Sequence, residues 1–228
     1  MAVAGAHSLA IQPRRFVRRA PSKTDKTLLV DIRVTDMRAG DAAWWDAKLG
    51  IKHIPLPRAD RYWVWSVLLP MCHLVQLTKR RYCRALVIWA RNDQGRFLRV
   101  GMSMLVESYP YLDVARNLDA YFVWFISAAD PATLRADFGM THPPALARVL
   151  LDNAVVLSQN AALGGRIGLH AAVAGGKTLL NIYNGCGLSQ LPARARLPTG
   201  VRPKNDGRYF LADDARAEAM AAILDPSR

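Results

Sequence analysis

Apolar positions along this 228-residue chain fall into blocks with two different periods. Leu28-Leu29-Val30-Asp31-Ile32-Arg33-Val34 is a β-branched run that predicts a strand. Trp44, Trp45 and Leu49 follow Asp41 in a short helical pattern, with Asp41 as its cap and Gly50 as its stop. Beyond Pro55 and Pro57, Asp60 stands as the cap of a second helix that carries Trp63, Leu68, Leu69, Leu74 and Leu77. Pro70 must start, kink or divide that helix, because it removes an amide donor and crowds the preceding turn. Three strands are predicted next, over Arg84 to Ala90, Arg96 to Ser108 and Tyr121 to Ile126. Asn92-Asp93-Gln94-Gly95 is a turn signal between the first two, Gly101 marks a bulge, and Tyr109-Pro110 closes the second. The third is apolar on both faces and therefore central.

A loop is expected from Ala128 to His142. Pro143-Pro144 suit the first turn of a helix, where a missing amide hydrogen costs nothing. Leu146, Val149, Leu150, Ala154 and Leu157 then recur at helical spacing to about Asn160. Arg166 to His170 is a short strand that leads through Gly175-Gly176 into a helix holding Leu179, Leu180 and Tyr183 and stopping at Gly187. Pro192 to Asn205 is a basic loop, and Arg208 to Leu211 a final strand. Asp213 or Asp214 caps a closing alanine-rich helix around Ala217 to Leu224. The order predicts an α/β fold with an antiparallel meander in the middle.

Composition narrows the class. A content of 51% hydrophobic and 21% charged residues indicates a folded chain with one sizeable core. The formal charge of +13 implies attraction to something acidic, such as nucleic acid, an anionic membrane face, a phosphorylated cofactor or a carrier protein. A solvated basic surface accounts for the same number. Residues 1–24 hold no acid and carry Arg14, Arg15, Arg18, Arg19 and Lys23, without the apolar core of a secretory signal. A disordered basic arm over 1–26 is expected ahead of one domain over 27–228. Three cysteines with no Cys-x-x-Cys argue against a disulfide framework or structural zinc, and suit a reducing, cytoplasmic setting. No stretch reaches the ~20 apolar residues of a membrane span. The histidines show no metal-ligand spacing, and the chain has no P-loop, dinucleotide glycine pattern or Gly-x-Ser-x-Gly elbow.

The segment Gly164 to Leu191 carries the chemistry. Its strand, glycine turn, helix ending in Tyr-x-x-x-Gly-Leu and second short strand resemble the C-terminal half of the GNAT acyltransferase fold. Element order from Thr27 to Leu211 is similar too. The resemblance implies a GNAT-like mixed, mostly antiparallel central sheet flanked by helices, with the basic N-terminal arm appended. It implies an N-acyltransferase that uses acetyl-CoA or another acyl-CoA and an amine acceptor. RNA or an acidic carrier protein is an expected partner for the basic surface. The alternative is a non-catalytic GNAT-fold protein whose basic surface binds nucleic acid or an acidic partner.

In that family the fourth strand splays from the fifth and acyl-CoA lies in the gap. Mapped onto this chain, backbone around Ile126 and Ala128 would face pantetheine. The phosphates would sit on the amides of Gly139, Met140 and Thr141, with Arg135 or Arg148 as counter-charge. The family's Arg/Gln-x-x-Gly-x-Gly/Ala loop is altered: Gly139 lies four residues after Arg135, and Pro143 and Pro144 bring no amide hydrogens. Many members also carry an asparagine where this chain has Gly176. Tyr183 maps to the acid that protonates the leaving thiolate; packing with Leu179, Leu180 and Leu188 is its structural role otherwise. His170 and Glu107 are the base candidates, and loss of the amine proton through water is the third route. Trp44, Trp45, Trp63 and Trp65 either line an acceptor pocket or pack the core.

Overall fold

A computed structural model describes residues 14–50, 58–79, 82–113, 118–198 and 205–228. The strands are β1 (Arg19–Pro21), β2 (Leu29–Asp36), β3 (Cys83–Arg91), β4 (Phe97–Pro110), β5 (Asp119–Ala128), β6 (Ile167–His170), β7 (Ser189–Gln190) and β8 (Tyr209–Ala212). The α-helices are α1 (Ala39–Lys48), α2 (Trp65–Lys79), α3 (Pro131–Phe138), α4 (Leu146–Asn160), α5 (Gly176–Gly185) and α6 (Asp214–Ala222). Among the described residues the strands form one sheet in the order β1-β2-β3-β4-β5-β6-β8-β7. All neighbours are antiparallel except β5 and β6, which run parallel. This is a mixed, mostly antiparallel, GNAT-like α/β arrangement.

The register explains the shape. Two β4 residues oppose one step of β3 where Ile88 pairs with Gly101 and Trp89 with Arg99, so Val100 is the extra residue. The predicted bulge thus falls beside Gly101. A second bulge lies in β5: Met104 pairs with Phe125 and Leu105 with Val123, which leaves Trp124 unopposed. Such an insertion bends the strand and sharpens its twist. Two apolar clusters result. One joins α1 and α2 to the β2–β4 meander; the other joins α5 and α6 to β6 and β8. Helix α4 belongs to both, giving Leu146, Val149 and Leu150 to the first and Leu151, Ala154 and Val155 to the second.

Several local expectations are corrected. The stretch expected as loop from Ala128 to His142 contains α3. Asp130 caps it by accepting from the amides of Ala132 and Thr133, Pro131 sits in its first turn, and Gly139 ends it with φ of 59°. Pro143 and Pro144 do not open α4, which starts at Leu146; Pro144 instead bridges Ser22. Asp60 does not cap α2. That end is held by Asp46 of α1, whose carboxylate accepts from the amides of Trp65 and Ser66, each at 2.8 Å. Asp41 sits inside α1, not at its cap, and accepts from the Arg38 amide and from Arg99. Pro70 lies within α2. Residues 1–13 of the expected arm lie outside the described residues, as does the 199–204 part of the basic loop. Residues 14–26 are built into the fold: Arg19–Pro21 pairs with β2, and Arg14 binds Glu218 and Asp225.

Arg228 closes the structure. Its guanidinium grips Asp152 of α4 at 2.7 and 3.1 Å and donates to the Arg15 carbonyl at 2.7 Å. Burial raises the Asp152 carboxyl above its ordinary range, and Arg228 works against that rise. A raised folded-state pKa means the folded chain holds this proton more tightly than the unfolded chain does. The group's contribution is therefore most favourable below the unfolded value of ~3.9 and is lost as pH rises through the folded value. Arg228→Ala should expose this charge cost, lowering stability by roughly 3 kcal/mol at pH 7, or about 6–12 °C in melting midpoint. The deficit should shrink as pH falls through the folded pKa of Asp152. Melts at pH 7 and pH 4.5 check this, and an equal deficit at both would contradict it.

Candidate functional site

Strands β5 and β6 pair only at Tyr121–Ile167, Phe122–Gly168 and Val123–Leu169. Beyond them the two strands part, each following its other neighbour. Strand β5 stays with β4 to the Gly101–Ala128 pair, and β6 stays with β8 through His170–Tyr209. Residues 124–128 therefore have no strand partner on the β6 side among the described residues. Burial marks the same point: Tyr121 to Val123 are buried, whereas Trp124, Phe125 and Ile126 are only partly so. A parallel edge with free backbone donors and acceptors is a template for an extended amide-bearing ligand.

The segment leading into α2 lines this opening. Arg58 donates to the Ala128 carbonyl at 2.6 Å and grips Asp60 at 2.6 and 3.0 Å. The Trp63 ring meets Phe125 edge-on at 5.0 Å, and Trp65 Nε1 donates to Ser127 Oγ at 3.3 Å. Trp45 and Trp65 are core residues. Trp44 sits on the Arg99 guanidinium and against Phe138.

Tyr183 projects from α5 and is buried, its ring edge-on to Phe210 at 5.4 Å. Burial pushes the phenol well above its ordinary pKa, and the negative charge of Asp60 adds to the rise. Tyr183 belongs to the apolar cluster against which Ile126 of the open β5 edge also packs. Among the described residues none takes the Tyr183 hydroxyl proton in a hydrogen bond. The hydroxyl stays protonated through any working pH and is available as a donor.

The other predicted site residues are dispersed. His170 binds Asp206 at 3.1 Å and packs on Tyr209. Tyr209 and Phe210 are consecutive on β8 and face opposite sides of the sheet, so His170 and Tyr183 lie on opposite faces. Glu107 accepts from the Tyr121 hydroxyl at 2.6 Å, at the closed end of the splay. Ile126 is on the open edge, and Ala128 already gives its carbonyl to Arg58. Arg135 is exposed on α3.

The amides expected to hold phosphate have other partners. Gly139 and Met140 donate to the Leu134 carbonyl. The Thr141 amide and hydroxyl both donate to Asp93, at 3.0 and 2.6 Å. Ala145 donates to the Pro21 carbonyl at 2.9 Å, and Lys23 donates to that of Pro143. The N-terminal segment and the β3–β4 turn thus cover the approach to α4. The open edge fits a pantetheine arm, whereas these amides do not fit a pyrophosphate. Two surface grooves lie elsewhere: one of about 400 Å³ over α1 and α2, lined by Leu69, Pro70 and His73, and one of about 520 Å³ beside β7 and β8.

Sequence reasoning missed Arg58 and Asp60 as site residues. The pairing of a cation and an acid two positions apart just before the Trp63–Trp65 cluster was the available signal. No group of metal-binding side chains occurs among the described residues, and no helix there is long and apolar enough to cross a membrane.

The order of the strands, the parallel splay and the helix placement define a GNAT-like fold. Solved structures that resemble the chain include acetyltransferases, one of them described as of the GNAT family. One is a mutant of the toxin AtaT bound to the C-terminus of the antitoxin AtaR and acetyl-CoA, at 12% identity and a TM-score of 0.46, covering 83% of this chain and 97% of that one. Another is a GNAT-family acetyltransferase from Staphylococcus aureus, at 13% identity and 0.46, covering 80% and 99%. A third is a mutant of the spermidine N-acetyltransferase SpeG from Vibrio cholerae, at 16% identity and 0.43, covering 82% and 96%. No protein-family profile and no curated protein matches the chain. At these scores the likeness adds nothing to the geometry, and no substrate transfers from it.

Substitutions at Tyr183 separate packing from chemistry. Tyr183→Phe keeps the ring against Phe210 and should change stability by less than about 1 kcal/mol, whereas Tyr183→Ala should cost roughly 3 kcal/mol through the cavity it leaves. Denaturant unfolding measures both. Equal losses would show that the hydroxyl has a structural partner.

Proposed function

We propose that the protein is an acyl-CoA-dependent N-acyltransferase, with acetyl-CoA as the first candidate donor and an amine as acceptor. The observation that carries this reading is the edge of β5 left without a β6 partner from Trp124 to Ser127, with Ile126 packed against the apolar cluster that holds Tyr183. The edge amides and carbonyls would bind and orient the amide-bearing arm of the donor, placing its thioester beside the Trp124 bulge. Backbone donors there would stabilise the oxyanion formed when the amine attacks. Trp63 and Phe125 would border the acceptor.

The Tyr183 hydroxyl would meet the departing thiolate. Its raised pKa makes complete transfer of the proton uphill, so its contribution is a hydrogen bond to the sulfur as charge develops. The amine would lose its proton to water, because Glu107 and His170 are held by Tyr121 and Asp206 in other positions. The phosphate end would be held by arginine side chains, with Arg58, Arg135 and Arg148 the candidates.

A second reading is favoured by the engaged loop amides: a GNAT-fold binding protein that performs no transfer. In that case the +13 charge serves an acidic partner such as RNA.

Calorimetry with acetyl-CoA separates the two. The enzyme reading predicts saturable binding below millimolar concentration, and Tyr183→Phe should lower kcat at least tenfold with little change in affinity. Absence of binding at millimolar acetyl-CoA would overturn it. The second reading predicts RNA binding whose log affinity falls steeply with log salt, and salt-independent behaviour would count against it.

A further inference from the structure

Two cysteines that show no motif in the sequence meet in the fold. Cys72 lies on the inner side of α2 and Cys83 is the first residue of β3, with their sulfurs 2.8 Å apart. That is inside the ~3.5–4 Å contact of non-bonded heavy atoms and about 0.8 Å longer than a disulfide bond. Both are buried in the cluster around α1 and α2, whereas Cys186 belongs to the other cluster. Gln76, one helical turn beyond Cys72, donates to the Cys83 carbonyl at 2.7 Å and holds the two elements at this spacing.

We propose that Cys72 and Cys83 are a reversible dithiol–disulfide pair that staples α2 to β3, with a low-molecular-weight disulfide of the glutathione type as oxidant. The hydrogen bond between the two sulfurs lowers the pKa of the Cys72 thiol, and the same bond together with burial raises that of Cys83. With Cys72 taken as the attacking thiolate, the exchange runs in two steps. Cys72 displaces one glutathione thiolate and forms a mixed disulfide. Cys83 loses its proton to solvent, attacks the Cys72 sulfur and releases the second glutathione. Two protein thiols are oxidised, and one glutathione disulfide is reduced to two thiols. Burial makes the first attack depend on local separation of α2 from β3 around Cys72 and Cys83. The staple bears on the open edge of β5, because α2 begins at Trp65, which donates to Ser127.

The test is equilibration of the folded, reduced protein with glutathione disulfide, followed by thiol counting after denaturation, intact mass and non-reducing peptide mapping. The thiol count should fall from three to one, with a loss of about two hydrogen masses and a Cys72–Cys83 linked peptide that dithiothreitol releases. The melting midpoint should rise by about 5–10 °C on oxidation. Cys186→Ser should cross-link identically, and Cys72→Ser should not. Three thiols remaining, a persistent mixed disulfide, a link involving Cys186 or an unchanged midpoint would each overturn the proposal. The wild-type readings decide the matter even where a cysteine variant fails to fold.

Discussion

Three residue pairs between β5 and β6 are the constraint on which the rest of this structure depends. Strand β6 has four residues and spends its other edge on β8, while β5 is drawn along β4 by pairs that run to Gly101–Ala128. Each half of the sheet completes its own antiparallel pairing, and the parallel seam is left short. The Trp124 bulge adds twist where the seam ends. Helix α4 crosses behind and contributes to both apolar clusters, so the halves stay together despite the gap between their strands. Arg58 occupies the outer end of the exposed edge, where it holds both the Ala128 carbonyl and the Asp60 carboxylate.

The same architecture separates two parts of a ligand site that the resemblance joins. The edge that would pair with pantetheine is open. The amides that would hold phosphate are satisfied by Asp93, Leu134 and Pro21. Satisfied amides are poor anion hosts, since a ligand would have to break each bond before making its own. A phosphorylated donor would therefore have to be held by basic side chains, with Lys and Arg numbering 31 against 18 Asp and Glu. Covering of α4 by residues 21–23 is also what turns part of the basic N-terminal stretch into a structural element.

Strands were the most legible part of the sequence, because β-branched and aromatic runs between turn residues have few alternatives. The central position of β5 followed from its two apolar faces. Helix α3 was hidden although Asp130, Pro131 and Gly139 are a complete cap-to-cap signature. Gly139 resembles a phosphate-loop glycine by its place after Arg135, yet in the fold it is the left-handed end of α3. Asp60 looked like a cap because it precedes a helix, but Asp46 reaches α2 from the neighbouring helix, a contact no local pattern encodes. The Arg19–Pro21 strand was masked by its basic neighbours, and Cys72 and Cys83 meet only through packing of α2 on β3. Of the candidate site, Tyr183 and Ile126 of the β5 edge share one apolar cluster, while the base candidates depend on side-chain partners that a sequence does not display.

Hydrogen–deuterium exchange with and without acetyl-CoA tests most directly whether the splay is the ligand site. The account predicts added protection over residues 124–128 and in the α5 segment around Tyr183, with the 139–145 segment unchanged. Protection concentrated at 139–145, with none at 124–128, would contradict it.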